Sequence, residues 1–199
     1  TFEQDSQTPI YILAHSMGGA VTTMALAKDI ISPSKVIVSS PLFGLNLGFK
    51  ILELPIYFIA KIFDLIGFQK SYAFGQKDCV PLLPFETNDV TNCYARFQTW
   101  RKNVHDVTEV QLGGPTFHWI AEIIKTTRKI RKMAHKIKVP YLLMQAEKET
   151  VVCNQAQNMF VGSSNHIQKI GIEFSKHEIL MEIDVLRNKA LDSVFKFFS

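Results

Sequence analysis

Ser16 stands in the run AHSMGG, residues 14–19, between a short apolar stretch and one with helical spacing. A serine hydroxyl is a weak nucleophile at neutral pH unless a base lies within hydrogen-bond reach and a carboxylate orients that base. Small residues two before and two after the serine, here Ala14 and Gly18, suit the tight strand-to-helix turn that presents such a group. Gly19 then lets the helix approach the strand. A serine in this place also opens a helix, whose free N–H groups favour a developing negative charge, so the N–H of Met17 is the candidate oxyanion donor. The competing reading is an ordinary turn serine. The short string is a weak signal by itself, and the strand before it and helix after it carry the weight.

Six histidines compete for the role of base. His177 follows the last predicted strand and opens the last predicted helix, which in a parallel sheet places it at the same C-terminal edge as Ser16. His15 neighbours the serine and is expected to point the other way. His105, His118, His135 and His166 fall in an insertion or in loops and read as surface or lid residues. Glu147 and Glu149 follow the run VPYLLMQA, and either reaches that edge. Glu149 is the preferred acid and Glu147 a solvated loop charge. The chain order serine, acid, histidine is that of the α/β-hydrolases. No metal or cofactor is expected: in HEILM, Met181 stands where a zinc HExxH helix needs its second histidine.

These residues need elements to hold them. Residues 9–14 form an apolar run rich in β-branched and aromatic types, expected as a strand buried on both faces. Residues 17–28 change to helical period, with Val21, Met24, Ala25 and Ala27 facing a sheet. KVIVS at 35–39 is a second strand. From 42 to 137 the alternation gives way to long apolar and aromatic stretches, an insertion. Then come a strand at 139–146, a helix at 154–161, a strand at 166–174 and a helix at 178–198. Strands alternating with helices predict an α/β fold with a mostly parallel sheet. The expected organisation is a core of residues 1–41 and 138–199, with residues 42–137 as a helical lid.

The 199 residues, 47% hydrophobic, suffice for one sizeable core, and a formal charge of +4 is too small to argue for nucleic acid. Cys79, Cys93 and Cys153 form no CxxC pair and are expected as reduced, buried thiols of a cytoplasmic protein. The apolar segment 44–68 is broken by Lys50, Glu53, Pro55, Lys61 and Asp64, so it reads as a lid or interfacial helix rather than a membrane span. Residues 125–138, KTTRKIRKMAHKIK, hold seven basic residues and no acidic one. Lys125, Arg128, Lys129, Lys132 and Lys136 are expected on one helical face, with Ile123, Ile130, Ala134 and Ile137 on another. Such a helix could touch an anionic membrane surface, placing the protein at the periphery of the inner membrane; a solvated helix face is the alternative. The first residue is Thr1, and the opening residues lack the charged-then-apolar pattern of a secretory signal, so none is expected within them.

Several of these motifs together resemble the bacterial lysophospholipases of the monoacylglycerol lipase group, within the α/β-hydrolases. They are AHSMGG, FETNDVT at 85–91, GGPTFHW at 113–119, VPYLLMQAEKETVV at 139–152 and KHEILMEID at 176–184. The resemblance implies a serine esterase acting on a lipid ester, with Ser16, Glu149 and His177 as its triad, although the family usually has aspartate as the acid. It also implies that Phe43, Leu47, Phe49, Ile51, Phe58, Ile59 and Phe63 line an acyl-chain groove, with packing against one another as lid core the alternative for each. The family carries an earlier half with further strands and a His-Gly loop supplying a second oxyanion donor, which nothing here matches. This chain is therefore expected to be the C-terminal part of a larger protein, with the serine strand at an open sheet edge. A noncatalytic lipid- or protein-binding relative is the alternative function.

Overall fold

Two central strands show why the sheet is filled on both sides. Val36 and Val38 alternate with Ile37, and Tyr141 and Leu143 with Leu142 and Met144, so each strand sends large side chains to both faces. A computed structural model of the chain describes residues 8–47 and 52–199; Phe49 and Ile51 lie outside the described residues. Its four strands are β1 (Tyr11–His15), β2 (Lys35–Ser39), β3 (Tyr141–Ala146) and β4 (Ile167–Ile172). They stand in the order β1-β2-β3-β4, all parallel, with His15 beside Ser39, Ser39 beside Met144 and Ala146 beside Ile172. The C-terminal strand ends thus form one rim.

On one face, α1 (Ser16–Ala27) and α5 (Asn154–Gly162) bury Ala20, Leu26, Ala27, Ala156 and Phe160 against the sheet. Thr23 reaches Tyr141 across this layer, the two hydroxyls 2.6 Å apart, and burial pushes the Tyr141 phenol pKa up. On the other face α6 (Asp184–Phe198) packs Ala190 and Val194 against Ile37, Leu142, Met144 and Ile172.

β1 departs from the doubly buried strand its composition suggests. It is the edge of the described sheet, and α6 reaches over it only as far as Phe198, which stacks on Tyr11 with ring centroids 5.0 Å apart. Tyr11 and Leu13, on that side, are 42% and 40% exposed. The open serine-strand edge expected from the resemblance is present in the described sheet.

Between β2 and β3 lie α2 (Glu53–Leu65), α3 (Tyr94–Asp106) and α4 (Phe117–Ile130). The first and last of these pack together around Ala60, Phe117 and Ala121, with Phe63 stacked on Phe117. The ends of the insertion join the sheet core: Phe43 lies against Phe160, and Ile130, Ala134 and Ile137 are buried beside β3. Phe43 is therefore core rather than groove lining.

Three other expectations change. The basic helix stops at Ile130, because the chain must turn down into β3: Lys132 and Met133 bond back to Lys129 and Ile130, and residues 134–136 form a 3-10 turn. Arg131, which is not among the residues expected on the basic face, turns inward and donates to both Glu53 carboxylate oxygens and to the Phe43 carbonyl. The last helix begins at Asp184 rather than 178, since Glu178 N–H and the Met181 carbonyl are taken by Val90 and Thr91 of the insertion. The three cysteines are free, as expected, but half-buried.

Candidate active site

β1 ends at His15 and α1 begins at Ser16, with no loop between, so one residue must absorb the reversal of direction. Ser16 does so with φ of +49°, a left-handed conformation that L-residues other than glycine adopt at a cost of order 1–3 kcal/mol. Crowding at this turn falls on Gly19 rather than Gly18. A Cβ at Gly19 would sit 2.9 Å from Pro41 Cβ and 3.4 Å from Val38 Cβ, whereas one at Gly18 meets nothing within 4 Å among the described residues. Ala14 lies half-buried against the α1 face of the core. The N-cap residue His15 makes no side-chain cap hydrogen bond among the described residues, and the first-turn N–H groups of α1, that of Met17 among them, follow directly on Ser16.

The rim brings together three residues distant in sequence. His177 Nε2 is 3.0 Å from Ser16 Oγ, and His177 Nδ1 is 2.7 Å from Glu149 Oε2. An ionised carboxylate can only accept, so Nδ1 carries the ring proton and Nε2 is left as acceptor for the serine hydroxyl. The Glu149 side chain is wholly buried and that of His177 nearly so. Glu149 Oε1 also accepts from the backbone N–H groups of Val151 and Val152, which fixes the carboxylate's rotation. Glu147 turns away and accepts from Phe174 N–H. Chemically, the arrangement can draw a proton from a hydroxyl and hold the resulting imidazolium beside a buried carboxylate.

His105, His118, His135 and His166 are exposed and have no hydrogen bond to Ser16, Glu149 or His177 among the described residues; His118 is bonded to Asp64. No group of three or more acidic, histidine or cysteine side chains with metal-binding arrangement occurs among the described residues.

Residues 1–184 match the family described as serine aminopeptidase, S33. The chain belongs to this family. Among curated relatives, the probable lysophospholipase L2 of Haemophilus influenzae is 31% identical over 189 residues, covering 95% of this chain and 59% of the relative. Lysophospholipase L2 of Escherichia coli K12 is 31% identical over 200 residues, covering 95% of this chain and 57% of the relative. The chain thus spans less than two thirds of the length of these relatives. Among solved structures, a soluble variant of monoglyceride lipase from Saccharomyces cerevisiae superposes with a TM-score of 0.71 at 18% identity, over 96% of this chain and 62% of the lipase. A monoacylglycerol lipase of Paleococcus ferrophilus gives 0.68 at 13% identity, over 97% and 69%. These likenesses show an α/β-hydrolase fold, of which this chain carries part.

Within this S33 chain, several polar groups around the rim were not singled out from sequence. Ser40 Oγ donates to the His177 carbonyl at 2.8 Å. Gln157 donates to the Pro41 carbonyl and accepts from Gln145, tying the ends of β2 and β3 through α5. Asn154 donates to the Ala146 carbonyl just before the Glu149 loop. His15, expected to point away, instead sets its ring edge-on to His177 with centroids 4.8 Å apart. It shares the α6 side of β1 with Leu13, and the His177 loop crosses above that side. His15 Nε2 is 3.1 Å from Glu178 Oε1, an ion-pair distance without hydrogen-bond alignment. Burial disfavours the charged Glu178 carboxylate, but His15 beside it, and His177 further off, outweigh burial and hold its pKa below the usual carboxylate range. The pairing of His15 with Glu178 had one sequence signal: each residue adjoins a predicted triad member.

Proposed function

We propose that this chain is the nucleophile-bearing part of a serine ester hydrolase that cleaves the acyl ester of lysophospholipids or monoacylglycerols through an acyl-enzyme. The observation that carries the reading is the unbroken chain of contacts from Ser16 Oγ through His177 to Glu149, at 3.0 and 2.7 Å. Ser16 Oγ attacks the ester carbonyl carbon while its proton passes to His177 Nε2. The tetrahedral oxyanion leans on Met17 N–H at the start of α1. Its collapse expels the glycerol-side alkoxide, which takes the proton back from the imidazolium. Water then repeats the sequence on the acyl-serine with the same base. Glu149 keeps Nδ1 protonated and offsets the imidazolium charge. Esters rather than peptides are favoured by the lysophospholipase names of the curated relatives.

A fluorophosphonate probe offered to the full-length protein tests this directly. One covalent adduct is expected, at Ser16, abolished by S16A. An unlabelled protein that still binds lipid would replace the enzyme with a noncatalytic binder.

The fold also offers a surface for the substrate's source, which we read as an anionic bilayer met from the cytoplasmic side. Leu54, Phe58, Ile62 and Leu65 fall on one side of α2 and are exposed. Beside them Leu54 and Tyr57 share a cleft with Lys125, Arg128, Lys129 and Lys132. Lys125 is paired with Glu122 and Arg128 with Glu53, while Lys129 and Lys132 have no acidic partner among the described residues. Apolar side chains flanked by unpaired cations suit insertion at a negatively charged interface. No helix among the described residues is long and apolar enough to cross a membrane. At about 1 kcal/mol per cation, the K129Q/K132Q double variant is expected to weaken binding to phosphatidylglycerol vesicles about thirtyfold. Sedimentation that ignored both anionic lipid content and salt would rule this surface out.

A further inference from the structure

Of the buried carboxylates that the mechanism leaves unused, Glu53 is paired with Arg131 and Asp64 with Lys61, whereas Glu182 has no such ion pair among the described residues. Glu182 is 0% exposed and stands five residues after His177, with no cation against its carboxylate among the described contacts. Four N–H groups surround it instead. Oε1 accepts from Lys176 N–H and from the Asn92 side-chain amide, each at 2.8 Å, and Oε2 accepts from Asn92 N–H and Ile183 N–H, each at 3.1 Å. A carboxylate offers about four acceptor sites, and all are filled. Two of the donors bracket the histidine loop: Lys176 immediately precedes His177, and Ile183 immediately precedes α6. The other two belong to Asn92, in a turn of the insertion far away in sequence.

The same turn grips the loop along its length. Asn92 Nδ2 donates to the Phe174 carbonyl, Lys176 Nζ to the Asn88 carbonyl, Glu178 N–H to the Val90 carbonyl and Thr91 Oγ1 to the Met181 carbonyl, at 3.0, 2.8, 2.8 and 2.7 Å. Asn88 Oδ1 holds the turn itself by accepting from Val90 and Thr91 N–H. Against this, the sheet side contributes Ser40 to the His177 carbonyl, Lys148 N–H to the Ser175 carbonyl and the Glu147 carboxylate, which accepts from Phe174 N–H. The His177 loop is thus braced more by the insertion than by the sheet that carries Ser16 and Glu149.

We propose that Glu182 is a positioning residue, whose carboxylate locks the His177 loop to the Asn88–Asn92 turn, so that the insertion sets where the imidazole sits between Ser16 and Glu149. This rests on the hydrolase reading, since it matters for turnover only if His177 is the base. The geometry explains why a charge is used. Hydrogen bonds to an ionised acceptor are roughly twice as strong as neutral ones, and a neutral amide cannot accept from four N–H groups. In E182Q one oxygen becomes an NH2 facing two N–H donors, so half of the lock is lost and replaced by repulsion. A shift of about 1 Å in a catalytic group can cost 10²-fold in rate.

The test compares wild type, E182Q and N92A as full-length proteins. With active sites titrated by the fluorophosphonate probe, E182Q is expected to lower kcat per site about 10²-fold with KM within about twofold. N92A, which keeps its backbone donor, is expected to lower it less, and the double variant no further than E182Q. Independently of turnover, the far-downfield proton resonance of His177 Nδ1–H against Glu149 is expected in wild type and weakened or lost in both variants. A wild type that keeps this resonance without turning over ester sinks the hydrolase reading alone, and loss of the resonance in the variants still supports the positioning role. Folded variants with an unchanged resonance and unchanged kcat per titrated site overturn the proposal. If E182Q does not fold, N92A alone decides on the same two readouts.

Discussion

Alanine at position 16 is expected to lower ester turnover by about 10⁵- to 10⁶-fold while leaving substrate binding and the melting transition nearly unchanged. The size follows from what the hydroxyl does alone. His177 Nε2 stands 3.0 Å from Ser16 Oγ, so in the proposed mechanism the same oxygen both gives up the proton and attacks the ester carbonyl. Removing that atom leaves the first-turn N–H groups of α1 and the substrate contacts, which elsewhere retain only a residual rate over water. Stability changes little, because the left-handed backbone at position 16 is as costly for alanine as for serine and Oγ is bonded only to the imidazole among the described contacts. H177A should cost about as much, and the S16A/H177A double variant no more than either, since the residues act as one unit. Hydrolysis rates on a lysophospholipid and on a monoacylglycerol, measured with site-titrated full-length protein, check all three. Additive losses would mean that the two side chains work separately, and an S16A protein with wild-type turnover would remove the serine from the mechanism.

The fold was readable wherever one side chain pattern served one purpose. KVIVS and YLLMQA carry large apolar groups on successive positions, and both prove to be central strands filled from two sides. The 9–14 run has the same composition but stands at the sheet edge, because burial is decided by what lies beside a strand and not by the strand itself. Helix ends were the other weak point. HEILMEID looks like a helix start, but a strand-distant turn captures the N–H of Glu178 and the carbonyl of Met181, and no local propensity encodes that competition. The basic run 125–138 has helical spacing throughout, but the need to bury Ile130, Ala134 and Ile137 while entering β3 breaks it after its first turns.

The candidate site was legible to the extent that it obeys topology. A parallel sheet places every strand's C-terminal end on one rim, so Ser16, Glu149 and His177 could be gathered from chain order alone. The choice of Glu149 over Glu147 accords with the turn at 149–152, where Val151 and Val152 N–H groups face back toward the carboxylate. What sequence could not supply was the set of contacts between loops that share no register: His15 against His177, Ser40 under the His177 carbonyl, Glu182 in a ring of N–H donors. Each depends on two chain segments arriving at the same place, and in each the individual residue is of a type that sits on surfaces as often as in sites.

Glutamine at position 149 gives the other large effect, a fall in kcat of about 10⁴-fold with the fold and the serine intact. The wild-type carboxylate uses Oε1 for the two backbone N–H groups of Val151 and Val152 and Oε2 for His177 Nδ1, at 2.8, 3.2 and 2.7 Å. An amide has one acceptor, and the pair of backbone donors cannot turn away, so in E149Q the amide oxygen must stay on them. Its NH2 then faces Nδ1 as a donor, and the ring answers by moving its proton to Nε2. In that tautomer the imidazole donates toward Ser16 instead of accepting from it, and the general base is gone although every heavy atom is in place. Aspartate tests the converse. E149D keeps a charged acceptor but is one methylene shorter, so it is expected to lose far less than E149Q, by an amount set by how far the loop at 147–152 can close toward His177. The discriminating measurement is kcat for the two variants side by side, with the Nδ1 proton resonance read in each. Equal losses in E149Q and E149D would mean that the carboxylate acts through packing of the loop, and the assignment of Glu149 as the residue that fixes the tautomer would fall.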